Sequence, residues 1–170
     1  SKALFDAVYR DVFPIIYRVT ARITGSGEAA EEICQEAFVR YLSHQSELPN
    51  EHSARYWLIR VAKNLAFNRV KRSARERRAY ERLLHHSSGD AGDSVTRPLD
   101  RRNAEEAVQI AMQRLPRAAR EIIVMKEYGG LSYREIGAVL GITEGNVKVR
   151  AYRARKKLAV ILGDLGYAEG

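Results

Sequence analysis

The sequence predicts an all-α fold of two small helical domains joined by a flexible linker, the C-terminal domain containing a helix-turn-helix. Apolar residues recur every three to four positions through most of the 170 residues, as on one face of an amphipathic helix. No window alternates between apolar and polar residues in the manner of a strand. The segment 85–94 has almost no apolar side chains and cannot bury a core. We therefore predict domains at residues 1–83 and 102–170, and the linker at 84–101.

Three helices are expected in the N-terminal domain. Pro14 interrupts the first apolar repeat, which predicts a kinked helix or two short ones. The second helix is predicted over 28–43 and the third over 54–78, with a polar segment between them at 44–53. The apolar positions that indicate the first helix are Phe5, Val8, Val12, Ile15, Val19 and Ile23.

Four helices are expected in the C-terminal domain, and residues that break or cap helices set their boundaries. Pro116 ends the first and a glycine pair ends the second. Ser132 and Glu135 form a capping box at the start of the third. Gly141 supplies the positive φ that the following turn is expected to need. Thr143 caps the last helix, which runs almost to the end of the chain.

The composition narrows the classes of function. A formal net charge of +8 favours a polyanionic partner, either nucleic acid or an anionic membrane surface. Cys34 is the only cysteine, and no Cys/His cluster has the spacing of a metal site. No apolar run approaches the ~20 residues of a membrane span. We expect no metal, no cofactor and no membrane insertion, and a cytoplasmic protein.

The helix-turn-helix at 131–155 is the strongest local signal. The second helix of such a motif enters the major groove of DNA and presents its first turns to base edges. Its exposed side, here named the recognition face, consists of Lys148, Val149, Tyr152 and Arg153. Neighbouring cations are expected to reach phosphates and to fix the register without reading sequence; they are Arg150, Arg155, Lys156 and Lys157. An ordinary helical hairpin with a solvated basic side is the alternative.

The third predicted helix carries aromatic and cationic side chains beside its apolar stripe. Rings stack on unpaired bases while cations hold the backbone, so this combination suits single-stranded nucleic acid. We name the set the basic-aromatic face: Tyr56, Trp57, Arg60, Lys63, Asn64 and Phe67. The alternative is that Trp57 and Phe67 belong to the core.

Residues 25–52 have the opposite character, with six glutamates against one arginine, a balance of −5. An acidic helix surface repels DNA, so it is expected to meet solvent or a protein. We name the polar side of the second helix the acidic face: Glu28, Glu31, Glu32, Gln35 and Glu36.

In chain order these segments resemble the extracytoplasmic-function (ECF) sigma factors of the sigma-70 family. Residues 31–38 resemble the polymerase-binding helix of that family, and residues 54–72 its promoter-melting helix. Segments between 115 and 155 resemble its second DNA-binding domain. The resemblance extends over nearly the whole chain outside the linker, and it is specific because these segments follow one another in the order found in the family.

The resemblance implies a promoter-reading subunit of RNA polymerase, not an enzyme. Glu32, Gln35 and Glu36 would dock on the clamp coiled coil of the polymerase core, and the flap of the core would be a second contact. An anti-sigma factor would be a further protein partner, and it would hold the chain near the membrane. No small-molecule substrate is expected.

The resemblance also assigns the DNA contacts. His44, Leu48 and Asn64 would line a pocket for a flipped −10 base. The melted strand would be held by Tyr56, Arg60, Lys63, Phe67 and Lys71. The −35 duplex would be read by Lys148, Val149, Arg150, Tyr152, Arg153 and Arg155. A linker of 18 residues reaches at most roughly 60 Å, which is comparable with the ~58 Å of a 17-base-pair spacer at about 3.4 Å per pair.

Two departures and two alternatives bear on this assignment. Val149 stands where the family often has a small hydroxyl residue, which indicates an apolar contact such as a thymine methyl, and Asn146 replaces a common threonine.

An ordinary dimeric repressor or activator is the first alternative function, but it explains neither the basic-aromatic nor the acidic face. An enzyme is the second, but the sequence has no nucleophile motif and no phosphate-cradling glycine loop.

Overall fold

The computed structural model describes residues 1–88 and 104–167, and every regular element within them is a helix, as predicted. The N-terminal domain consists of α1 (Lys2–Thr24), α2 (Gly27–His44) and α3 (Glu51–Ser88), with a 3-10 turn at Gln45–Glu47. The C-terminal domain consists of α4 (Ala104–Arg114), α5 (Arg117–Ile123), α6 (Tyr133–Leu140) and α7 (Glu144–Asp164). Helix α5 continues into a π-helical segment, Val124–Tyr128.

Helix α1 is continuous through Pro14, which excludes the second of the two expected forms, a pair of short helices. Pro14 and Arg10 are both exposed, so water can bond to the Arg10 carbonyl that the missing proline amide leaves free. The apolar side of α1, from Val8 to Ile23, is buried against α2 and α3. This burial outweighs the loss of one backbone hydrogen bond at the surface.

Helix α2 follows its prediction closely. Ser26 caps it by accepting a hydrogen bond from the Ala29 amide at 3.1 Å. Cys34 lies in its buried side, and burial raises the pKa of the thiol to about 11, so the thiol stays protonated and inert. The buried residues are those that the periodicity predicts: Ala30, Ile33, Cys34, Ala37, Phe38 and Tyr41.

Helix α3 is longer than predicted, because it ends at Ser88 instead of Arg78. Residues 84–88 of the predicted linker are therefore helical, and residues 89–101 lie outside the described residues. The extension, residues 79–88, includes one Ala, one Glu, one Arg and two Leu residues, which favour helix, and it contains no proline or glycine. Phe67 is the last buried side chain of α3 among those described, so the extension forms on propensity and not on packing.

The helix-turn-helix forms as predicted from α6 and α7. Ser132 accepts from the Glu135 amide at 3.1 Å, and Glu135 accepts from the Ser132 amide at 3.2 Å, which completes the capping box. Gly141 ends α6 with φ 72°, the left-handed conformation that the turn was expected to need. Thr143 caps α7 through the Asn146 amide at 3.1 Å. Ile136 and Val147 are fully buried between the helices, while Leu140 and Ile142 are half-buried.

The two domains pack against each other. Helix α1 contacts the π-helical segment and α4, and helix α3 contacts α6. Gly129 lies so close to α1 that a Cβ there would sit 3.0 Å from the Cγ2 of Val19. Arg18 donates to the Tyr128 carbonyl at 2.9 Å, and the Arg22 guanidinium lies 4.1 Å from the centre of the Tyr128 ring. The domain interface thus combines close backbone packing with polar contacts.

The packing of α6 on the turn that follows it can be tested by a substitution at Gly137. A Cβ at Gly137 would lie 2.7 Å from the carbonyl oxygen of Ile142, a backbone atom that cannot move without shifting the turn. We expect Gly137→Ala to lower the free energy of unfolding by about 1–3 kcal/mol, because it overpacks this contact. Urea denaturation followed by circular dichroism measures the change.

The matched control is Gly145→Ala, in the first turn of α7. A Cβ there has open space around it, so the substitution should be neutral or stabilise by about 0.5–1 kcal/mol. Equal stability of the Gly137→Ala variant and the unmodified chain would contradict the close approach of α6 and the turn.

Candidate nucleic-acid and protein interfaces

The acidic face lies in the open on α2. Glu32, Gln35 and Glu36 are exposed on one side of the helix. Glu36 pairs with Arg40 one turn further along at 2.8 Å, and Glu32 pairs with Arg69 of α3 at 3.1 Å. Surface ion pairs of this kind contribute little to stability, so the carboxylates remain available to a partner.

Two exposed apolar residues extend this side of α2 and were not singled out from the sequence. Val39 is 64% exposed and Leu42 is 54% exposed. Val39 follows Glu32, Gln35 and Glu36 at the spacing of successive turns, which places it on the same side of the helix. That spacing was the signal in the sequence. An apolar patch beside carboxylates is typical of a protein-binding surface, since the apolar part supplies affinity and the charges supply orientation.

His44 and Leu48 lie where α2 passes into α3. The His44 ring is 5.0 Å from the Trp57 ring, and Leu48 is half-buried against the core. Trp57 also contacts Tyr41, so it is partly a core residue. Asn64 lies about two turns further along α3 than Trp57, roughly 10 Å. The structure therefore brings His44 next to the start of the basic-aromatic face, while Asn64 contacts the other domain.

Arg60 of the basic-aromatic face is bonded to the C-terminal domain. Its Nε donates to the Val139 carbonyl at 2.8 Å, and its Nη2 donates to the Ala138 carbonyl at 3.2 Å. Both carbonyls lie in the last turn of α6, where the helix dipole places partial negative charge. The Arg60 guanidinium is thus already hydrogen-bonded to the C-terminal end of α6.

Lys63 and Asn64 face α5. The Nζ of Lys63 is 3.2 Å from Oε2 of Glu121, and Lys63 is only 5% exposed. The Oδ1 of Asn64 accepts from Lys63 at 3.0 Å and from Arg117 at 2.9 Å. Such a buried ion pair is sustained because both charges keep hydrogen-bond partners.

Phe67 is also covered by the C-terminal domain. The Arg117 and Arg120 guanidinium groups lie 4.6 and 5.0 Å from the centre of its ring, and Phe67 is 4% exposed. Burial and the neighbouring charge of Arg117 lower the pKa of Arg120. The sequence placed Lys63 and Phe67 on or beside an open surface, and the structure corrects this, because their cover comes from a domain distant in sequence. Tyr56 is half-buried and Lys71 is exposed.

Arg55 joins the two domains and was missed from the sequence. Its Nη1 is 2.9 Å from Asp11 of α1, and its Nη2 is 2.6 Å from Glu135 of α6. Burial alone would raise the pKa of Glu135, but the hydrogen bonds from the Ser132 amide and Arg55 outweigh it and lower the pKa below 4.5. No local pattern marks Arg55, because its partners come from two other helices.

The recognition face is exposed along α7. Lys148, Val149, Tyr152 and Arg153 all lie on the surface, opposite the buried Val147 and Ala151. Lys148 lies 3.6 Å from Glu144, and the Lys156 ammonium lies 4.8 Å from the centre of the Tyr152 ring. The structure therefore brings all four residues together on one surface.

Two of the cations expected at phosphates have partners within the helix-turn-helix. Arg150 donates to Asn146 at 3.1 Å, and Arg155 donates to the Tyr133 hydroxyl at 2.9 Å. Arg155 thereby links α7 to the start of α6 and helps to fix the angle between them. Both side chains remain exposed.

Two further properties of the described residues concern other classes of site. Within residues 1–88 and 104–167, no group of three or more His, Cys, Asp or Glu could hold a metal ion. None of the helices there is both long and apolar enough to cross a bilayer.

The fold and these faces define a class of protein. A helix-turn-helix with an exposed cationic recognition face, attached to a second helical domain, is typical of DNA-binding proteins. The family model for Sigma-70 region 2 matches residues 4–76, and that for Sigma-70, region 4 matches residues 105–158.

Comparisons with known proteins name the family. The chain is 32% identical over 169 residues to the ECF RNA polymerase sigma factor SigE of Mycolicibacterium smegmatis, covering 91% of this chain and 60% of that protein. It is 31% identical over 167 residues to the ECF RNA polymerase sigma factor SigL of Mycobacterium tuberculosis, covering 96% of this chain and 92% of SigL. This chain belongs to the ECF sigma factors of the sigma-70 family, which are transcription initiation factors and not enzymes.

Solved structures share the fold. The sigma factor RpoE, in complex with the anti-sigma factor NepR from Bartonella quintana, matches with a TM-score of 0.64 and 21% identity over 94% of this chain and 96% of that chain. CnrH, in complex with the cytosolic domain of CnrY, matches with a TM-score of 0.68 and 21% identity over 96% of this chain and 90% of that chain. At this identity the likeness concerns the fold alone.

The lowered pKa of Glu135 predicts how its contribution to stability depends on pH. Because folding lowers this pKa, the contribution of Glu135 to stability is present above pH 4.5 and is lost as the pH falls through the folded value. We expect Glu135→Gln to cost about 1 kcal/mol at pH 6, since a hydrogen-bonded and partly buried ion pair is lost, and the cost should decrease as the pH is lowered from 4.5 to 3. Urea denaturation at both pH values measures the difference.

Glu47→Gln is the control for charge removal, because Glu47 is exposed and outside both domain contacts described above. A cost of Glu135→Gln that stays the same from pH 6 to pH 3 would contradict the charged state assigned to the Arg55–Glu135 contact.

Proposed function

We propose that this chain directs core RNA polymerase to specific promoters, with residues 1–83 and 102–170 as separate promoter-reading domains. The observation that carries the proposal is the segregation of three faces on three helices: the acidic face on α2, the basic-aromatic face on α3 and the recognition face on α7. A protein that binds both an enzyme and DNA needs this separation, since carboxylates within a DNA-binding surface would repel phosphates.

The acidic face is the proposed docking surface for the clamp coiled coil of the core enzyme. Glu32, Gln35 and Glu36 supply exposed carboxylates and an amide, and Val39 and Leu42 supply apolar area beside them. Charges at such a surface orient the partner, while burial of the apolar residues provides affinity. The contact with the flap of the core stays a prediction.

The basic-aromatic face is the proposed site of the melted −10 strand. Separating duplex DNA costs about 1.4 kcal/mol per stacked step, and stacking on protein returns roughly 1–3 kcal/mol per base. One small domain therefore captures flipped bases but does not open a bubble without the binding energy of the polymerase. Arg60, Lys63 and Lys71 would hold the strand, and Tyr56 and Phe67 would stack on its bases. The pocket for one flipped base would lie at His44 and Leu48, whereas Asn64 lies about two turns further along α3 than Trp57, roughly 10 Å, and would contact the strand there.

The recognition face is the proposed reader of the −35 duplex. Lys148 and Arg153 present donors to base edges, and Val149 presents an apolar group that suits a thymine methyl. Arg150 and Arg155 lie beside this face, where cations reach phosphates and fix the register. Because Arg155 is held by Tyr133, its position relative to the groove is fixed before DNA binds.

An anti-sigma factor is the proposed regulator. The support is that RpoE and CnrH, which share this fold, were solved in complexes whose partners are an anti-sigma factor and a cytosolic domain of CnrY. We place the chain in the cytoplasm, where core polymerase and promoter DNA are found, and a membrane-anchored regulator would hold it near the membrane.

The test of the docking surface is the double substitution Glu32→Lys, Glu36→Lys. Reversing two charges at the proposed clamp contact should abolish binding to core polymerase, measured by gel filtration of the mixture, and should abolish initiation at a promoter that the unmodified chain uses. Circular dichroism should be unchanged, because both side chains are exposed.

The control is Asp6→Lys, Glu47→Lys, which makes the same change of net charge at exposed positions off the acidic face. It should bind the core normally. Retained binding by the Glu32→Lys, Glu36→Lys variant would exclude α2 as the docking surface. If the unmodified chain neither binds core polymerase nor changes initiation, the proposed function is wrong.

A second prediction concerns the recognition face. Lys148→Ala and Arg153→Ala each remove a donor to a base edge, and each should weaken initiation at −35-dependent promoters by about 1–3 kcal/mol, which is roughly 5- to 150-fold. In vitro transcription with purified core on promoters with intact and scrambled −35 elements measures the effect. Lys2→Ala and Arg10→Ala, which remove exposed cations from α1, are the controls. An unchanged promoter preference in the α7 variants would contradict the assignment.

A further inference from the structure

We propose that a groove between α2 and α3 binds a compact polyanion, namely a chain of two or more phosphates, either free or carried by a nucleotide. The groove has a volume of about 370 Å³, which lies near the lower end of the range for small-molecule sites. The proposed function assigns no ligand to this surface. We name it the arginine groove after its polar lining residues, which are Glu36, Arg40, Asn68, Arg69, Arg72 and Arg75.

The charge of the arginine groove is the first argument for an anionic ligand. Arg40 and Arg69 are each compensated by one glutamate of α2, at 2.8 and 3.1 Å. Arg72 and Arg75 are exposed, and neither has an ion-pair or hydrogen-bond partner among the residues that the structure describes. Four arginines against two glutamates leave two positive charges in excess. An occupant that neutralises the groove therefore carries at least two negative charges.

The chemistry of the donors favours phosphate among the anions. A guanidinium group is planar, is always charged and can donate two parallel hydrogen bonds to one phosphate. The floor of the arginine groove is apolar, since Ile33 is buried and Leu65 is half-buried against the core. Charges that lie against an apolar floor are less screened than charges surrounded by water. A chain of phosphates brings several charges to these guanidinium groups at once, whereas a single carboxylate brings only one.

The surroundings of the arginine groove favour a small anion over a DNA duplex. Its edge on α2 belongs to the acidic face, where Glu32 and Glu36 are exposed. Carboxylates at this edge repel an extended polyanion that lies across both helices. The groove also lies roughly 120° around the axis of α3 from the basic-aromatic face. A strand held on the basic-aromatic face therefore does not pass through the arginine groove.

The ion pair inside the groove determines the direction of one effect. Glu36 lines the groove and accepts a hydrogen bond from Arg40, so it competes with a bound anion for that guanidinium group. Glu36→Gln removes this competitor and a like charge from the site. The variant should therefore bind a polyphosphate more tightly than the unmodified chain does. Damage to the fold would weaken binding, so a gain in affinity reports on the site itself.

The test is isothermal titration calorimetry of the full chain with sodium tripolyphosphate, at about 50 mM salt, where charges are only partly screened. Arg72→Gln, Arg75→Gln should lower the affinity roughly 10-fold or more, because hydrogen bonds between charged groups are lost. Glu36→Gln should raise it roughly 3-fold, as for an exposed charge pair. Circular dichroism should be unchanged in both variants, since all three side chains are exposed.

Arg78→Gln, Arg82→Gln is the matched control, since it removes the same charge from exposed positions of α3 that do not line the groove. Glu47→Gln is the control for the lost carboxylate. Each should change the affinity by less than about twofold. An equal loss in the arginine control would show a general effect of net charge and would overturn the inference. Absence of tripolyphosphate binding, or no gain in Glu36→Gln, would overturn it as well.

Two further titrations distinguish the sources of the phosphates. ATP carries the same chain of three phosphates on a nucleoside. Affinity equal to that of tripolyphosphate identifies the phosphate chain as the ligand, and higher affinity identifies a nucleotide. A short DNA duplex is the other titrant. If the duplex displaces tripolyphosphate and loses as much affinity in the Arg72→Gln, Arg75→Gln variant, the groove contacts the DNA backbone and the inference is wrong.

Discussion

The cations of α3 impose the constraint on which the arrangement of the two domains depends. Lys63 is buried and Arg55 is half-buried where the domains pack, while Arg60 stays exposed and is bonded to the end of α6. A cation that loses water must gain oxygen acceptors, or the folded state bears a cost of several kcal/mol. The C-terminal domain supplies those acceptors through Glu121, Glu135 and the end of α6. DNA would supply them through phosphates, so the proposed −10 strand would meet the same requirement.

The parts of the fold that depend on local chemistry were predictable from the sequence. The capping box at Ser132 and Glu135, the left-handed turn at Gly141 and the buried side of α2 involve residues at most a few turns apart. The end of α3 was not predicted, because the polar composition of 85–94 indicates a linker. Residues 79–88 nevertheless have no proline or glycine that would stop the helix before Gly89, so it continues.

The candidate sites differ in the same way: those that lie on one helix were predictable, and those that depend on contacts between helices were not. The acidic and recognition faces were predictable because each lies on a single helix and stays exposed, so helical spacing defines it. Lys63 and Phe67 were misplaced, since their burial depends on α5, which is more than fifty residues away in sequence. Arg55 was missed for the same reason. Glu135 was found for its role in the capping box, but its ion pair with Arg55 depends on how the domains meet.

The order of binding follows from which faces the packing of the two domains covers. The acidic face on α2 and the recognition face on α7 are exposed, whereas Lys63, Asn64 and Phe67 of the basic-aromatic face lie against the C-terminal domain. Docking of core polymerase on α2 therefore requires no separation of the domains, but capture of a −10 strand does. If these faces have the proposed roles, polymerase binds first and supplies interactions that offset the loss of the interdomain contacts. Selectivity for promoters then arises in the complex, because only there is the single-strand site open.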